Sequence, residues 1–262
     1  PVTIAAAATL TGTGAIGSSL ATAAAGIISP GANEGSDAGT LTAASLDLVS
    51  PTLEFNLSNN PTSGNDQIAA TGAVTLTGVQ NFVFRLTDGI LSPGTYELIT
   101  TTGLVTASGA TLVSNLPTGT RQTLVLETHA GGVRLVVTGT NGNLTWTGSN
   151  GGLWDQQTTA TWSGASPATF FNFDNVLFDD SAANGTVTIT QPVAPQSITV
   201  NNSTLPYTFI GAPITGSTSL VKSGSGTLTL NVPQYTLTNC SLTLTSPTVT
   251  VSSTANLLPG MT

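Results

Sequence analysis

Apolar and polar residues alternate with a period of two along most of this chain. The pattern recurs at 73–77, 82–86, 124–127, 133–137, 186–190, 197–200, 227–230, 241–245 and 248–251. Successive side chains of a β-strand point to opposite faces, so each run reads as a half-buried strand. The runs are built largely of Thr and Val, whose branching at Cβ suits a pleated surface. Gly, Asn, Pro and Ser interrupt them every ~8–12 residues, as turns do. Helical periodicity is nearly absent, since the alanine-rich stretches 5–8 and 21–25 are short. The pattern predicts an all-β chain.

Two all-β architectures fit. A sandwich buries two facing sheets. A solenoid stacks short strands coil upon coil, each burying alternate residues against the next. Short strands, small residues and few aromatic side chains favour the solenoid, most clearly over 211–258. The aromatic-richer stretch 53–137 suits a wider sheet or the end of a solenoid. The expected organisation is therefore solenoid at 1–52, a solenoid-terminating, antiparallel or sandwich-like β region at 53–142, a Trp-rich segment at 143–180, and further solenoid at 181–262.

Composition narrows the function. Charged residues are only 6% of the chain, which carries three arginines, one lysine, one histidine and a net charge of −8. Neutralising phosphates needs clustered cations, so nucleic acid is not an expected partner. No apolar run approaches the ~20 residues of a membrane-spanning helix, so no such segment is expected. The lone cysteine, Cys240, allows no internal disulfide and reads as a small apolar residue of a strand. The sequence opens on Pro1, as a processed chain or a segment of a longer one would.

Several motifs resemble a known family. The run Ser219-Leu-Val-Lys-Ser-Gly-Ser-Gly-Thr-Leu-Thr-Leu230, followed by Tyr235-Thr-Leu-Thr238, resembles the autotransporter-associated β-strand repeat of bacterial surface proteins. Lys222, Gly224 and Gly226 match the lysine and glycines of that motif. Ala8-Thr-Leu-Thr-Gly-Thr-Gly-Ala-Ile-Gly17, with Gly26-Ile-Ile-Ser-Pro-Gly31 and Gly39-Thr-Leu41, is similar to closing coils of passenger domains. Pro93-Gly-Thr-Tyr-Glu-Leu-Ile99 is similar to the segment that ends them. Leu144-Thr-Trp146 through Trp162, with Asp174-Asn-Val-Leu-Phe-Asp-Asp180, resembles the opening of a repeat block. The resemblance implies a right-handed parallel β-helix, secretion to a bacterial cell surface, and a structural or adhesive role. The scarcity of cations, bases and nucleophiles argues separately against an enzyme.

The order of these motifs is that of a circularly permuted unit, with the opening block mid-chain and the closing coils first. A permuted unit is completed by a neighbour. The expected arrangement is a homopolymer, of separate or tandemly joined units, in which 236–261 of one unit continues into 1–28 of the next. The expected interface is Val2, Ile4, Leu10, Ile16, Leu237, Leu242, Leu244, Val249, Val251, Leu257 and Leu258.

Candidate chemistry is sparse. Asp174, Asp179 and Asp180 are the densest acidic cluster; clustered carboxylates can hold Ca²⁺, though turn-capping aspartates explain the pattern too. Calcium is the one candidate cofactor. Trp146, Trp154 and Trp162 recur every eight residues. Exposed, they would stack on glycans; folded about a turn at 148–152, they would form a buried aromatic cluster. His129, with Glu127 and Arg134 near it, lacks a nucleophile motif, and nothing brings Glu54 and Glu97 together as a glycosidase pair. Thr-x-Thr runs at 186–190, 227–229 and 243–245 would order water only if they repeated at one position of every coil, and their spacing is irregular. Asp66 reads as a turn residue.

Overall fold

The computed structural model describes residues 1–31, 38–87, 89–233, 235–237, 241–242 and 248–251. The chain is all-β with four main sheets, and apart from one short 3-10 turn at Asn150–Gly152 its described elements are strands. It forms two compact units, one of 1–117 with 122–140, the other of 118–121 with 141–262.

The first unit holds two sheets. One is five-stranded and wholly parallel, in the order Thr111–Ser114, Val79–Leu86, Thr52–Leu57, Ile27–Pro30, Thr9–Gly12. The other, nine-stranded, runs in parallel from Val2–Ile4 through Gly14–Thr22, Thr40–Val49 and Gln67–Ala70 to Gly94–Thr101. It ends in an antiparallel meander, Gly94–Thr101 against Gly132–Thr138 against Thr123–His129. Antiparallel pairing within 53–142 is confined to this end. A two-residue connection, Ala130-Gly131, can only reverse the chain, whereas parallel neighbours need long crossovers. Gly132 opens the returning strand at φ 138°, where a Cβ would run into the Ile99 carbonyl, beside the bulge between Glu97 and Ile99.

Parallel register turns the sequence alternation into columns. Leu10, Ile28, Leu53 and Phe82 lie one over another. Ile28, Leu53 and Phe82 are fully buried, and Phe82 stacks on Phe55 at 5.9 Å. Where this unit's two sheets are joined, the backbone bends through left-handed residues at matching positions: Ala7 (φ 60°), Ala25 (φ 62°), Ser50 (φ 44°) and Gly78 (φ 72°). The bends are laddered as the strands are. Ala7 N–H donates to the Ala25 carbonyl, Ala25 N–H to that of Ser50, and Ser50 N–H to that of Thr77. Each strained conformation is thus held by its neighbour.

The second unit repeats the plan. One sheet stacks Leu153–Trp154, Thr186–Ile189, Tyr207–Gly211, Thr227–Asn231 and Thr248–Val251, all parallel. The other runs Trp162–Ser163, Asn143–Trp146, Asn175–Asp179, Ser197–Asn201, Ile214–Ser223, then Tyr235–Leu237 and Ser241–Leu242. Only Trp162–Ser163 is antiparallel to its neighbour. Buried columns again appear, Val176–Ile198–Leu220 and Val187–Phe209–Leu230.

An aromatic cluster fills the start of this unit's core. Phe178 meets five rings: Trp146, Trp154 and Trp162 at 5.5–5.6 Å, Tyr207 at 5.4 Å and Phe209 at 4.7 Å. Removing the ring at this hub leaves a cavity that five rigid neighbours cannot collapse to fill. Phe178→Ala should cost about 3–5 kcal/mol, measured by urea unfolding followed through tryptophan fluorescence. A loss under about 1 kcal/mol would mean the cluster is not the packed core described.

Candidate functional site

The charges are the scarce resource, so their placement decides what chemistry the chain can do. Each arginine is committed to a carboxylate: Arg85 to Glu54 at 3.2 Å, Arg121 to Asp174 at 2.8 Å, and Arg134 to Glu127 at 2.8 Å. His129 Nε2 lies 3.0 Å from Glu97 Oε2, while its Nδ1 accepts from the Gly131 N–H at 3.2 Å. That second bond places the ring proton of neutral His129 on Nε2, donated to Glu97, and no lone pair is left for a general base. Glu54 and Glu97 lie in different sheets of the first unit, each with its own partner, Arg85 and His129.

Arg121 and Asp174 form a buried linchpin of the second unit. Asp174 is completely buried, and its oxygens also accept from the N–H groups of Gly142 and Phe171. Arg121 Nε donates to both carboxylate oxygens, its NH2 group to the Thr169 carbonyl, and its guanidinium lies 4.5 Å from the Phe171 ring centre. A carboxylate out of water survives as a charge only with such a partner and such donors. The pair fastens 118–121 to a unit whose main segment starts at 141.

The other two aspartates of the acidic cluster are spent separately. Asp179 Oδ1 accepts from the Ser181 N–H at 2.9 Å. Exposed Asp180 accepts from three successive backbone N–H groups, of Ser203, Thr204 and Leu205, at 2.9–3.0 Å. These bonds favour the ionised form and hold the carboxyl down at about 2, against an ordinary 3.8. The structure does not gather Asp174, Asp179 and Asp180 into one cation shell. Among the described residues no three His, Cys, Asp or Glu side chains form a group that could hold a metal. Asp66, read as a turn aspartate, is fully buried, accepts from the N–H groups of Gly39 and Asn56, and burial pushes its carboxyl upward.

Lys222 holds a place in the hydrophobic column Phe178–Val200–Lys222. It is fully buried, and its ammonium bends to the carbonyls of Ser223 and Gly224, at 2.6 and 3.1 Å. Desolvation lowers its pKa, with Asp180 acting in the opposite direction. The motif lysine is therefore a tie for the turn that follows it, a role its place in the sequence did not reveal.

The three tryptophans are buried, at 0%, 0% and 3% exposure for Trp146, Trp154 and Trp162. Stacking on glycans needs an open ring face, so that reading is overturned. Trp146 and Trp162 do face one another, 4.9 Å apart, on an antiparallel pair, while Trp154 enters the other sheet after the short turn at Asn150–Gly152. The threonine runs are better ordered than their spacing indicates. Thr186, Thr208 and Thr229 share one column, but the adjoining one holds Leu153, Thr188, Ile210 and Asn231. A continuous threonine lattice is not formed.

Of the expected interface residues, Val2 is exposed, Ile4 is buried, and Leu10 and Ile16 are half-buried against the first unit's core. Leu237, Leu242, Val249 and Val251 stand in register with Thr218, Lys222, Leu228 and Leu230. Leu244, Leu257, Leu258 and Cys240 lie outside the described residues. Among the described residues no helix is long and apolar enough to cross a membrane. No family model, curated protein or solved structure matches the chain.

Two outcomes follow from these charges. Arg121→Ala strands a buried carboxylate and should cost about 3–5 kcal/mol, read by urea denaturation; an unchanged midpoint would remove the pair from the account. Asp180 has a lowered folded-state pKa, so its contribution is complete above its ordinary value of 3.8 and fades as the pH falls towards about 2. Asp180→Asn should flatten that acid limb of the melting-temperature profile and leave the rest parallel to wild type. An identical acid limb would refute the assignment.

Proposed function

We propose that this protein is a structural unit of a bacterial cell surface, a β-solenoid that assembles end to end into a filament, sheath or stalk and catalyses no reaction. The observation that carries the reading is the in-register parallel stacking of short strands, with matched bends between them. Such a stack has two ends. At one, the outermost strands Val2–Ile4 and Thr9–Gly12 each pair with a neighbour on one side only. An open edge of this kind invites strand addition and is a hazard unless a partner covers it. Leu10 and Ile16 leave apolar surface there. The partner is a neighbouring unit, separate or tandemly joined. The motifs around Lys222 support assignment to the autotransporter-associated repeat type, and with it a right-handed coil and secretion.

The charge economy supports a non-catalytic role. Every arginine is engaged by a carboxylate, Lys222 by carbonyls, and the His129 ring is hydrogen-bonded to Glu97. Cleaving polysaccharide or peptide requires an acid, base or nucleophile held free at the substrate.

Assembly is tested by sedimentation velocity across a concentration series, with electron microscopy of the same samples. Wild type should form linear particles that lengthen with concentration. Leu10→Lys places a charge in the end face and should halt growth while preserving the β-sheet circular dichroism. Dispersed monomers at every concentration, or unhindered growth of the lysine variant, would sink the proposal.

A further inference from the structure

The outer face of one sheet of the second unit carries a groove of about 310 Å³. It lies across three successive parallel strands, Asn143–Trp146, Asn175–Asp179 and Ser197–Asn201. Two columns of outward side chains line it. One is Asn143, Asn175, Ser197; the other is Thr145, Leu177, Thr199. The inward neighbours Leu144, Val176 and Ile198 are buried, which fixes the direction of the lining residues.

The first column is wired along its length. Asn175 Nδ2 donates to Asn143 Oδ1 at 3.0 Å, and Ser197 Oγ donates to Asn175 Oδ1 at 2.8 Å. This chain orients the amides and leaves the Asn143 amide N–H groups directed to no protein acceptor among the described residues. The hydroxyls of Thr145 and Thr199 make no hydrogen bond to the described residues either. Between them Leu177 supplies an apolar step. No ionisable side chain lines the groove.

We infer that this groove binds a neutral, extended polysaccharide lying along the strand-stacking direction. Three features select that class. Parallel strands repeat every ~4.8 Å, so hydroxyl and amide groups recur at a step close to the length of one sugar residue. A sugar ring presents hydroxyls at its rim and C–H groups on its face, matching a polar column beside Thr–Leu–Thr. An acidic polysaccharide or a nucleic acid would need cations the lining does not provide. Contact is spread over single hydrogen bonds of small net worth, so a polymer is held and a monosaccharide is not. The tryptophans take no part. The site is independent of end-to-end assembly.

The test is affinity gel electrophoresis of the full chain in gels containing xyloglucan, galactomannan or dextran, with polygalacturonate as the acidic control. At least one neutral polymer should retard the wild type, and polygalacturonate should not. Thr199→Lys and Leu177→Glu should each weaken retardation about tenfold, the loss of one or two such contacts. Thr188→Lys, on the other sheet, should behave as wild type and controls for added charge. Circular dichroism and sedimentation of each variant separate loss of binding from misfolding or altered assembly. No retardation by any neutral polymer, retardation by polygalacturonate alone, or full retention by both folded groove variants would each overturn the assignment.

Discussion

In-register parallel pairing is the constraint on which everything else in this molecule rests. A strand in such a ladder places each side chain on the side chain at the same position of its neighbour. Position choice is thereby made column by column. An apolar column such as Leu10–Ile28–Leu53–Phe82 becomes core, and a polar one such as Asn143–Asn175–Ser197 becomes a wired surface. The bends obey the same rule, because Ala7, Ala25 and Ser50 each donate to the neighbour's bend. A ladder interrupted at the bends would leave backbone groups unpaired where the chain is most strained.

The same constraint explains the charge economy. Like charges repeated down a column would repel at the strand spacing, while threonine can be repeated without that cost. Thr, Ser and Asn therefore supply most of the polar surface, and charges such as Arg134, Arg121 and Asp180 serve where a column ends or a segment must be tied. Arg134 sits directly between Glu97 and Glu127 in the antiparallel meander that ends the first sheet. Arg121 ties a short segment by way of Asp174. Asp180 gathers three N–H groups of a neighbouring turn. Each is spent on a neighbouring charge or on backbone groups.

The strands were legible in the sequence because alternation is a local signal. Thr227 to Leu230 reads as a strand without knowledge of its partners, and so does Phe82 to Leu86. Pairing was not legible. Leu10, Ile28, Leu53 and Phe82 are separated by 18, 25 and 29 residues, since turns and loops of different length intervene. No fixed period marks that column. Thr186, Thr208 and Thr229 are almost evenly spaced, but Thr208 stands in no Thr-x-Thr run, so their alignment was not visible from those runs. The mutual packing of Trp146 and Trp162 could be anticipated from the glycine-rich turn that follows Trp146. The bond between Arg121 and Asp174 could not, because 53 residues separate the partners and Arg121 lies in no recognisable motif. The groove was invisible for a related reason: the six outward side chains that line it come from three strands, and none is unusual in its own segment.

Lys222 shows how far the column rule extends. Its position is an apolar one, above Val200 and Phe178, and a leucine would satisfy the packing. What leucine would not satisfy is the turn. After Lys222 the chain passes through Gly224 in the left-handed region (φ 72°), close against Asn202, just past the end of the neighbouring strand. That geometry turns the carbonyls of Ser223 and Gly224 towards the interior. The Asn202 N–H, at 3.3 Å, satisfies only part of the acceptor capacity of Ser223. A lysine stem fills the apolar column while its ammonium reaches both carbonyls, so one residue serves packing and turn together. Burying the ammonium works against its charge, as its lowered pKa records. Unpaired carbonyls at the same depth would carry a desolvation cost of their own. The buried lysine is thus the consequence of a tight turn inside a stacked core. It belongs to the architecture, and its burial is no sign of a reactive site.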